Sequence, residues 1–434
     1  MAVAALPAQF IRQRGDRVLA ALDVGTSKVA ALIAAVDGEG PPRVLGAGLR
    51  ACNGLRRGLV ADMQRTEQAI RAAMQQAEKA AGLEIERVLV NMSAGALESD
   101  VTTVEIDVAG HRISDDDVGA LLAAGRQRID ERFGRQGRTT LHAEPTLYTV
   151  DGLDGVTNPR GFHADRLQVD IHVVTAATPP CRNLDLVVRN AHLDVDGIIV
   201  SGVAASAAVL DDEERELGVA VIEIGAGITT VCVHGGGMLA GLIAIPMGAG
   251  DITNDIAASF STRRAAAERL KNLYGAASAA PRDNHDLVEV PGLDPEDTDE
   301  PRRVPRAELV AVIRSRLDML FEEIGQALAE LGFDGAVGRQ VVLTGGGAEL
   351  HGIADFAQGA LSRNVRVGRP RGLVGLPPAQ ARADFAALAG LILFGSGRRL
   401  DLARMPIRAP GTARQSAEPK SAFARLFHQL RRQL

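Results

Sequence analysis

A chain of 434 residues, 46% hydrophobic and 24% charged, exceeds what one compact core holds and fits two or more lobes of an ordinary α/β protein. A formal net charge of −6 gives no whole-chain reason for nucleic-acid binding, and no apolar run reaches the ~18–20 residues of a membrane-spanning helix. Cys52, Cys181 and Cys232 form neither a CxxC pair nor a Cys/His cluster, and they read as reduced thiols of a cytoplasmic protein.

Residues 1–16 read as an N-terminal extension; residues 1–10 are apolar but lack a basic start, and Arg12, Arg14 and Arg17 follow, which argues against a cleaved signal. The first strand is expected at residues 17–23 (RVLAALD), running into Asp23-Val24-Gly25-Thr26-Ser27-Lys28. Further strands are expected at 29–36 and 43–49, a helix over 63–81 with Ile70, Met74, Ala77 and Ala81 at helical spacing, and a strand at 87–91. The second half opens in the same way. A strand at 218–224 runs into Gly225-Ala226-Gly227-Ile228-Thr229, strands follow at 230–234 and 238–246, and a helix begins near Ile252. Another strand, 340–343, ends in Thr344-Gly345-Gly346-Gly347. Strand–hairpin–strand then helix–strand, occurring twice, describes two related lobes with a ligand cleft between them.

Each turn has a definite chemistry to offer. A triphosphate with Mg²⁺ needs close backbone N–H groups, hydroxyls, and a carboxylate that holds the metal through water. Gly25 permits close approach, Thr26 and Ser27 supply hydroxyls, Asp23 supplies the carboxylate, and Lys28 could reach a phosphate. Of the 48 basic residues only four are lysines (Lys28, Lys79, Lys271 and Lys420), which singles out a lysine inside a candidate site. The second turn offers the matching half of a clamp, with Glu223 facing the metal from the other lobe. Gly345, Gly346 and Gly347 leave room for a base or ribose against the backbone. Glu268 and Lys271 share a helical face, where they either bond a ribose or adenine or form a surface ion pair.

The tail changes character. Pro406, Pro410, Gly411 and Pro419 mark a flexible linker over 401–420. In 421–434, Phe423, Leu426, Phe427, Leu430 and Leu434 then line one face of a helix, with Arg425, Arg431 and Arg432 on or beside the other. A basic, Phe/Leu-faced helix on a tether suits an anionic lipid surface.

Taken together, DVGT at 23–26, EIGAGIT at 223–229 and LTGGGA at 343–348 resemble the two phosphate motifs and the adenosine motif of the actin, heat-shock chaperone and sugar-kinase superfamily. Within it the chain resembles the FtsA family of actin-like cell-division proteins. The stretches that carry this are AALDVGTSKVA (20–30), VNMSAG (90–95), ISDDDV (113–118), GVAASAAVLDDEERELG (202–218), AERLK (267–271) and AALAGLILFG (386–395). The resemblance implies an actin-like fold of two ribonuclease-H-like lobes around a nucleotide cleft, with the family's 1C insert. It divides the chain into subdomain 1A (17–96, 177–215 and 380–400), 1C (97–176), 2A (216–252 and 339–379) and 2B (253–338).

Carried over residue by residue, Asp23, Gly25, Thr26, Gly225, Gly227, Thr229, Lys271 and Gly345–Gly347 would contact ATP, with Mg²⁺ held through water at Asp23. The implied partners are the tubulin-like protein FtsZ at 2B, further division proteins at 1C, other copies of the chain, and anionic lipids on the cytoplasmic face of the inner membrane at the septum. Two departures stand out: the family pattern has Asp at Glu223 and Gly at Ala226, and both changes crowd the γ-phosphate side. Residues 202–210, resembling the hinge helix, contain no Gln, Glu, Asp or His to position a water. A nucleotide-dependent scaffold, at most a weak ATPase, is therefore expected. The competing readings are a pilus-assembly or shape-determining filament factor and a sugar-kinase-like phosphotransferase.

Overall fold

The computed structural model describes residues 17–37, 40–293, 302–333, 340–397 and 401–404. The N-terminal extension, most of the expected linker and the amphipathic helix at 421–434 lie outside these residues.

In chain order, β1 (Arg17–Val24), β2 (Lys28–Val36) and β3 (Arg43–Ala51) are followed by the short pair β4 (Leu55–Arg56) and β5 (Leu59–Val60), helix α1 (Met63–Ala81) and β6 (Arg87–Met92). An insert follows, with β7 (Glu98–Asp107), α2 (Asp115–Arg135), β8 (Arg138–Val150), β9 (Leu153–Val156) and β10 (Arg166–Ala177). Then come α3 (Thr178–Asn190), β11 (Asp194–Val200), α4 (Ser201–Val209) and α5 (Asp212–Leu217). The second lobe holds β12 (Val219–Ile224), β13 (Thr229–Gly235), β14 (Met238–Ile245), α6 (Ala249–Ser259), α7 (Arg264–Tyr274), β15 (Leu287–Val290), β16 (Arg302–Pro305) and α8 (Arg306–Glu330). It ends with β17 (Gln340–Thr344), α9 (Ile353–Leu361) and β18 (Asn364–Val367), before α10 (Ala386–Ser396) returns to the first lobe.

The repeat is visible in the sheets. One runs β3-β2-β1-β6-β11 and the other β14-β13-β12-β17-β18, each an antiparallel meander continued by two parallel strands. In the first hairpin of each sheet, corresponding residues differ by 200 in number. Asp23 pairs with Ala30 and Val24 with Val29; Glu223 pairs with Thr230 and Ile224 with Thr229. Crossovers from β1 to β6 and from β12 to β17 supply the helices that cover each sheet.

Local chemistry explains the helices. Asp62 caps α1 by accepting from Arg65 N–H, and Gly82 ends it in the left-handed conformation. Its face of Ala69, Ile70, Ala73, Met74, Ala77 and Ala81 is buried on the first sheet. In α8 the stripe of Ile313, Leu317, Leu320, Phe321, Ile324 and Leu328 is buried against the second lobe. Before it, β15 and β16 pair antiparallel, Val288 opposite Val304. The insert is a four-stranded sheet, β7-β10-β8-β9, packed on α2, whose start is fixed by a Ser114/Asp117 capping box. All three cysteines are free and buried.

Composition assigns 401–404 to the linker, and the structure corrects this. Leu402 is buried in the insert's core, Asp401 Oδ1 accepts from Ala143 N–H at 2.9 Å, and Arg126 donates to the Leu402 carbonyl. Nothing in the Pro/Gly content of the tail signals a backbone donor waiting on a distant strand.

Candidate functional site: the cleft between the two turns

The two hairpin turns that end β1 and β12 have the same geometry. Gly25 N–H donates to the Lys28 carbonyl and Gly225 N–H to the Ile228 carbonyl, both at 2.9 Å. They face each other across the interlobe cleft. A Cβ added at Gly227 would lie 3.0 Å from Thr26 Oγ1 and 3.0 Å from the Arg57 Cα, so glycine there lets the lobes approach. Thr229, at the start of β13, donates its hydroxyl to the Met247 carbonyl and is turned into the protein.

Asp23 and Glu223 are brought to one place by a relay. Asn91, at the end of β6, accepts from Val24 N–H at 2.7 Å and donates to Asp23 Oδ1 at 2.6 Å. The same amide reaches Ser201 Oγ at 3.4 Å, and Ser201 donates to Glu223 Oε1 at 2.6 Å. Burial raises the Asp23 carboxyl above its usual range, with Lys28 and Asn91 opposing and Asp384 adding to the rise. Burial also pushes Glu223 up to about 7, opposed by Ser201 and helped by Asp23. Glu223 Oε2 is buried without a hydrogen-bond partner. An orphaned carboxylate oxygen beside a second carboxylate fits a divalent cation held through water.

Lys28 sits elsewhere than a phosphate ligand would suggest. Its ammonium lies 2.6 Å from Asp384 Oδ2, donates to the Asp384 carbonyl at 2.8 Å, and sits 3.8 Å over the Phe385 ring. The segment holding Asp384 is tied to the second lobe, where Gly345 N–H donates to the Ala383 carbonyl at 3.0 Å and Ala383 N–H donates to Glu349. Lys28 therefore fastens β2 to the strap that leads into α10.

The third turn has a packing reason for two of its glycines. Gly345 has φ +83°, and a Cβ on it would come 2.6 Å from the Ile224 carbonyl oxygen. A Cβ on Gly347 would fall 2.2 Å from Ile224 Cγ2, whereas Gly346 has no neighbour nearer than 3.7 Å. Of the three, Gly346 alone is open; the expectation that all three leave room for a base is corrected by Ile224, which fills the other two sides.

Glu268 and Lys271 form an ion pair at 2.9 Å, yet Lys271 is only 11% exposed. Lys271 also donates to the Ala249 carbonyl and Thr253, and Thr253 donates to Glu268. The pair is thus a partly buried clasp on the start of α6, not a surface bridge. Burial lowers the Lys271 ammonium's pKa, against the pull of Glu268. That helix start seals the second turn in turn, with Ala249 N–H donating to Gly225 O and Gly250 N–H to Ala226 O at 2.9 and 2.7 Å.

Three residues here escape sequence reasoning: Asn91, Ser201 and Arg57. Asn91 has a visible trace, a polar side chain closing the apolar strand RVLVNM. Ser201 and Arg57 have none.

Two strand-for-strand equivalent sheets, a cleft lined by their paired turns, and two crossing helices beneath define an actin-like fold of two ribonuclease-H-like lobes. Solved structures agree at the level of fold. The PilM–PilN type IV pilus biogenesis complex matches with a TM-score of 0.61 and 17% identity, over 87% of this chain and 98% of that one. MreB5 of Spiroplasma citri bound to ADP matches at 0.50 and 13%, over 87% and 96%. A family model described as cell division protein FtsA matches residues 220–390, and one described as the SHS2 domain inserted in FtsA matches 94–175. The cell division protein FtsA of Rhizobium meliloti (strain 1021) is 37% identical over 390 residues, 87% of either chain. The chain belongs to the FtsA family, and its role is in cell division.

Proposed function

We propose that this chain is an ATP- and Mg²⁺-binding scaffold that tethers the tubulin-like division protein FtsZ to the cytoplasmic face of the membrane at the septum. Its subdomain 2B, residues 253–338, would dock FtsZ, its 1C insert would receive later division proteins, and copies of the chain would assemble on the membrane. The observation that carries the nucleotide part is the pair of equivalent turns with Asp23 and Glu223 between them and one carboxylate oxygen unpartnered. MreB5, a structural neighbour, is seen with ADP, which supports the same assignment.

In this reading the backbone N–H groups of the turns at 25–28 and 225–229, with the hydroxyls of Thr26 and Ser27, bind phosphate oxygens. Lys28 reaches a phosphate by leaving Asp384. Gly346, with Gly345 and Gly347 behind it, borders the adenosine side, and Glu268 and Lys271 border the ribose. Mg²⁺, held through water at Asp23 and Glu223, supplies charge neutralisation for the polyphosphate. Hydrolysis is expected to stay below roughly 1 s⁻¹, the low end of ordinary enzymes, because α4 presents only Ser201 and Ser206 among its polar side chains. Ala226 and the longer Glu223 crowd the same side.

The membrane part rests on the tail sequence. Five basic residues from Gly411 onward stand against Glu418 alone, in a chain that is acidic overall. The full chain should co-sediment with anionic vesicles, and a chain ending at Lys420, or the Phe423→Glu variant, should pellet about tenfold less. Equal pelleting of all three would remove the tail from membrane binding.

A further inference from the structure

Arg57 lies outside every phosphate motif, yet its backbone is wedged between both of them. It is the first residue of the two-residue turn joining β4 to β5, where Arg57 and Gly58 have φ of +46° and +71°. Such turns favour Asn or Gly at both places, so an arginine there holds a sparsely populated conformation. Gly58 N–H donates to Thr26 Oγ1 at 3.1 Å, which ties the turn to the first phosphate loop. The Arg57 Cα bounds the space over Gly227 in the second.

The guanidinium then crosses to the other lobe. It donates to the Pro246 carbonyl and lies 3.1 Å from Asp251 Oδ1 and 3.4 Å from Asp251 Oδ2. Asp251 accepts from Gly248 N–H at 3.0 Å and so caps α6, the helix whose start closes on the Gly225–Ala226 carbonyls. Arg57 and Asp251 therefore clamp the lobes together beside the phosphate turns. The clamp is weak by construction, because the Arg57 side chain is 48% exposed and water competes for it. A terminal phosphate carries more negative charge than Asp251 and offers a planar guanidinium two oxygens at once.

We propose that Arg57 distinguishes nucleoside triphosphate from diphosphate in the cleft, exchanging Asp251 for the terminal phosphate. The inference rests on the cleft binding nucleotide. When the exchange occurs, Asp251 is left to cap α6 alone, and α6, which runs from 2A into the expected partner-docking subdomain, changes its ties to the first lobe.

The test titrates the full-length protein with Mg²⁺–ATP and Mg²⁺–ADP, comparing wild type with Arg57→Ala, Arg57→Lys and Asp251→Asn. Arg57→Ala should weaken ATP about tenfold and ADP less than about threefold. Arg57→Lys should recover part of the loss, keeping the charge without the paired donors. Asp251→Asn should raise the preference for ATP. The proposal is overturned if Arg57→Ala shifts both nucleotides equally or neither, or if Asp251→Asn lowers the preference as Arg57→Ala does, which would make the pair a structural clamp. If the wild type binds neither nucleotide, the nucleotide reading itself falls and the proposal with it; wild-type binding without an altered ratio in the variants sinks the proposal alone.

Discussion

Asp23→Ala in the full chain is expected to weaken ATP binding about 100-fold in the presence of Mg²⁺ and less than about threefold in excess EDTA. About 100-fold corresponds to about 2.7 kcal/mol, the range of one lost charge-assisted contact. The EDTA arm separates metal binding from structure: an Asp23 that only held Asn91 and Val24 in place would cost the same with and without the cation. Glu223→Gln supplies the second arm through pH. Burial and Asp23 hold this carboxyl near 7 against an ordinary value of 4.5, so without bound cation it is largely protonated below pH 7. A cation there requires the ionised form, so wild-type Mg²⁺–ATP affinity should rise with pH up to about 7 and level off above it, whereas Glu223→Gln should rise less over the same range.

The stability of the unliganded protein carries the opposite sign. The folded-state value is raised, so the folded state holds a proton that the unfolded chain releases. This stabilisation is fully present below about pH 4.5 and is lost as pH rises through 7, on the order of 3 kcal/mol across the window. Thermal melts at pH 5 and pH 8 should therefore lie closer together in Glu223→Gln than in wild type, by the amount this one group contributes. Identical pH slopes would mean that Glu223 is already ionised in the unliganded protein.

What was legible in the sequence follows from what each signal measures. Helical spacing reports which residues face a core, and α1 over Met63–Ala81 and the buried stripe of α8 agree with it. The doubled strand-turn-strand pattern reports a fold repeat, and the first hairpins of the two sheets repeat at an offset of 200. Motifs located the two carboxylates but not what connects them. Asn91 and Ser201 join Asp23 to Glu223 over separations of 68 and 22 residues, and no local pattern encodes such a meeting. Lys28 illustrates the converse. Its rarity and position suggested a phosphate ligand, while its actual partner, Asp384, is 356 residues away. Glycines mislead for a related reason. The run at 345–347 looks like space for a ligand, but two of the three accommodate Ile224.

Gly390→Ala is expected to destabilise the chain by about 3 kcal/mol or more, a larger effect than a single added methyl group usually causes. A Cβ at this position in α10 would sit 1.7 Å from the Ala204 carbonyl oxygen and 2.3 Å from its carbon, in α4. The obstacle is backbone, so no rotamer change relieves it, and trimming the neighbour with Ala204→Gly should not rescue the variant. Gly325→Ala is the matched contrast. It too lies within a long helix, α8, but its added Cβ meets nothing within 4 Å, so the lower entropy of alanine should stabilise by about 0.5–1 kcal/mol. Urea midpoints of the two variants should thus move in opposite directions. The site of the clash gives the effect a functional side. Helix α4 leads from β11 of the first lobe into the second, and α10 returns from the second lobe to pack on β1, β2 and β6. They meet at Ala204 and Gly390, where the chain passes between the lobes, so prying these helices apart should shift the lobes that carry Asp23 and Glu223. A Gly390→Ala protein that remains soluble should bind Mg²⁺–ATP more weakly than Gly325→Ala, and unchanged binding would show that the crossing is a structural contact without a hinge role.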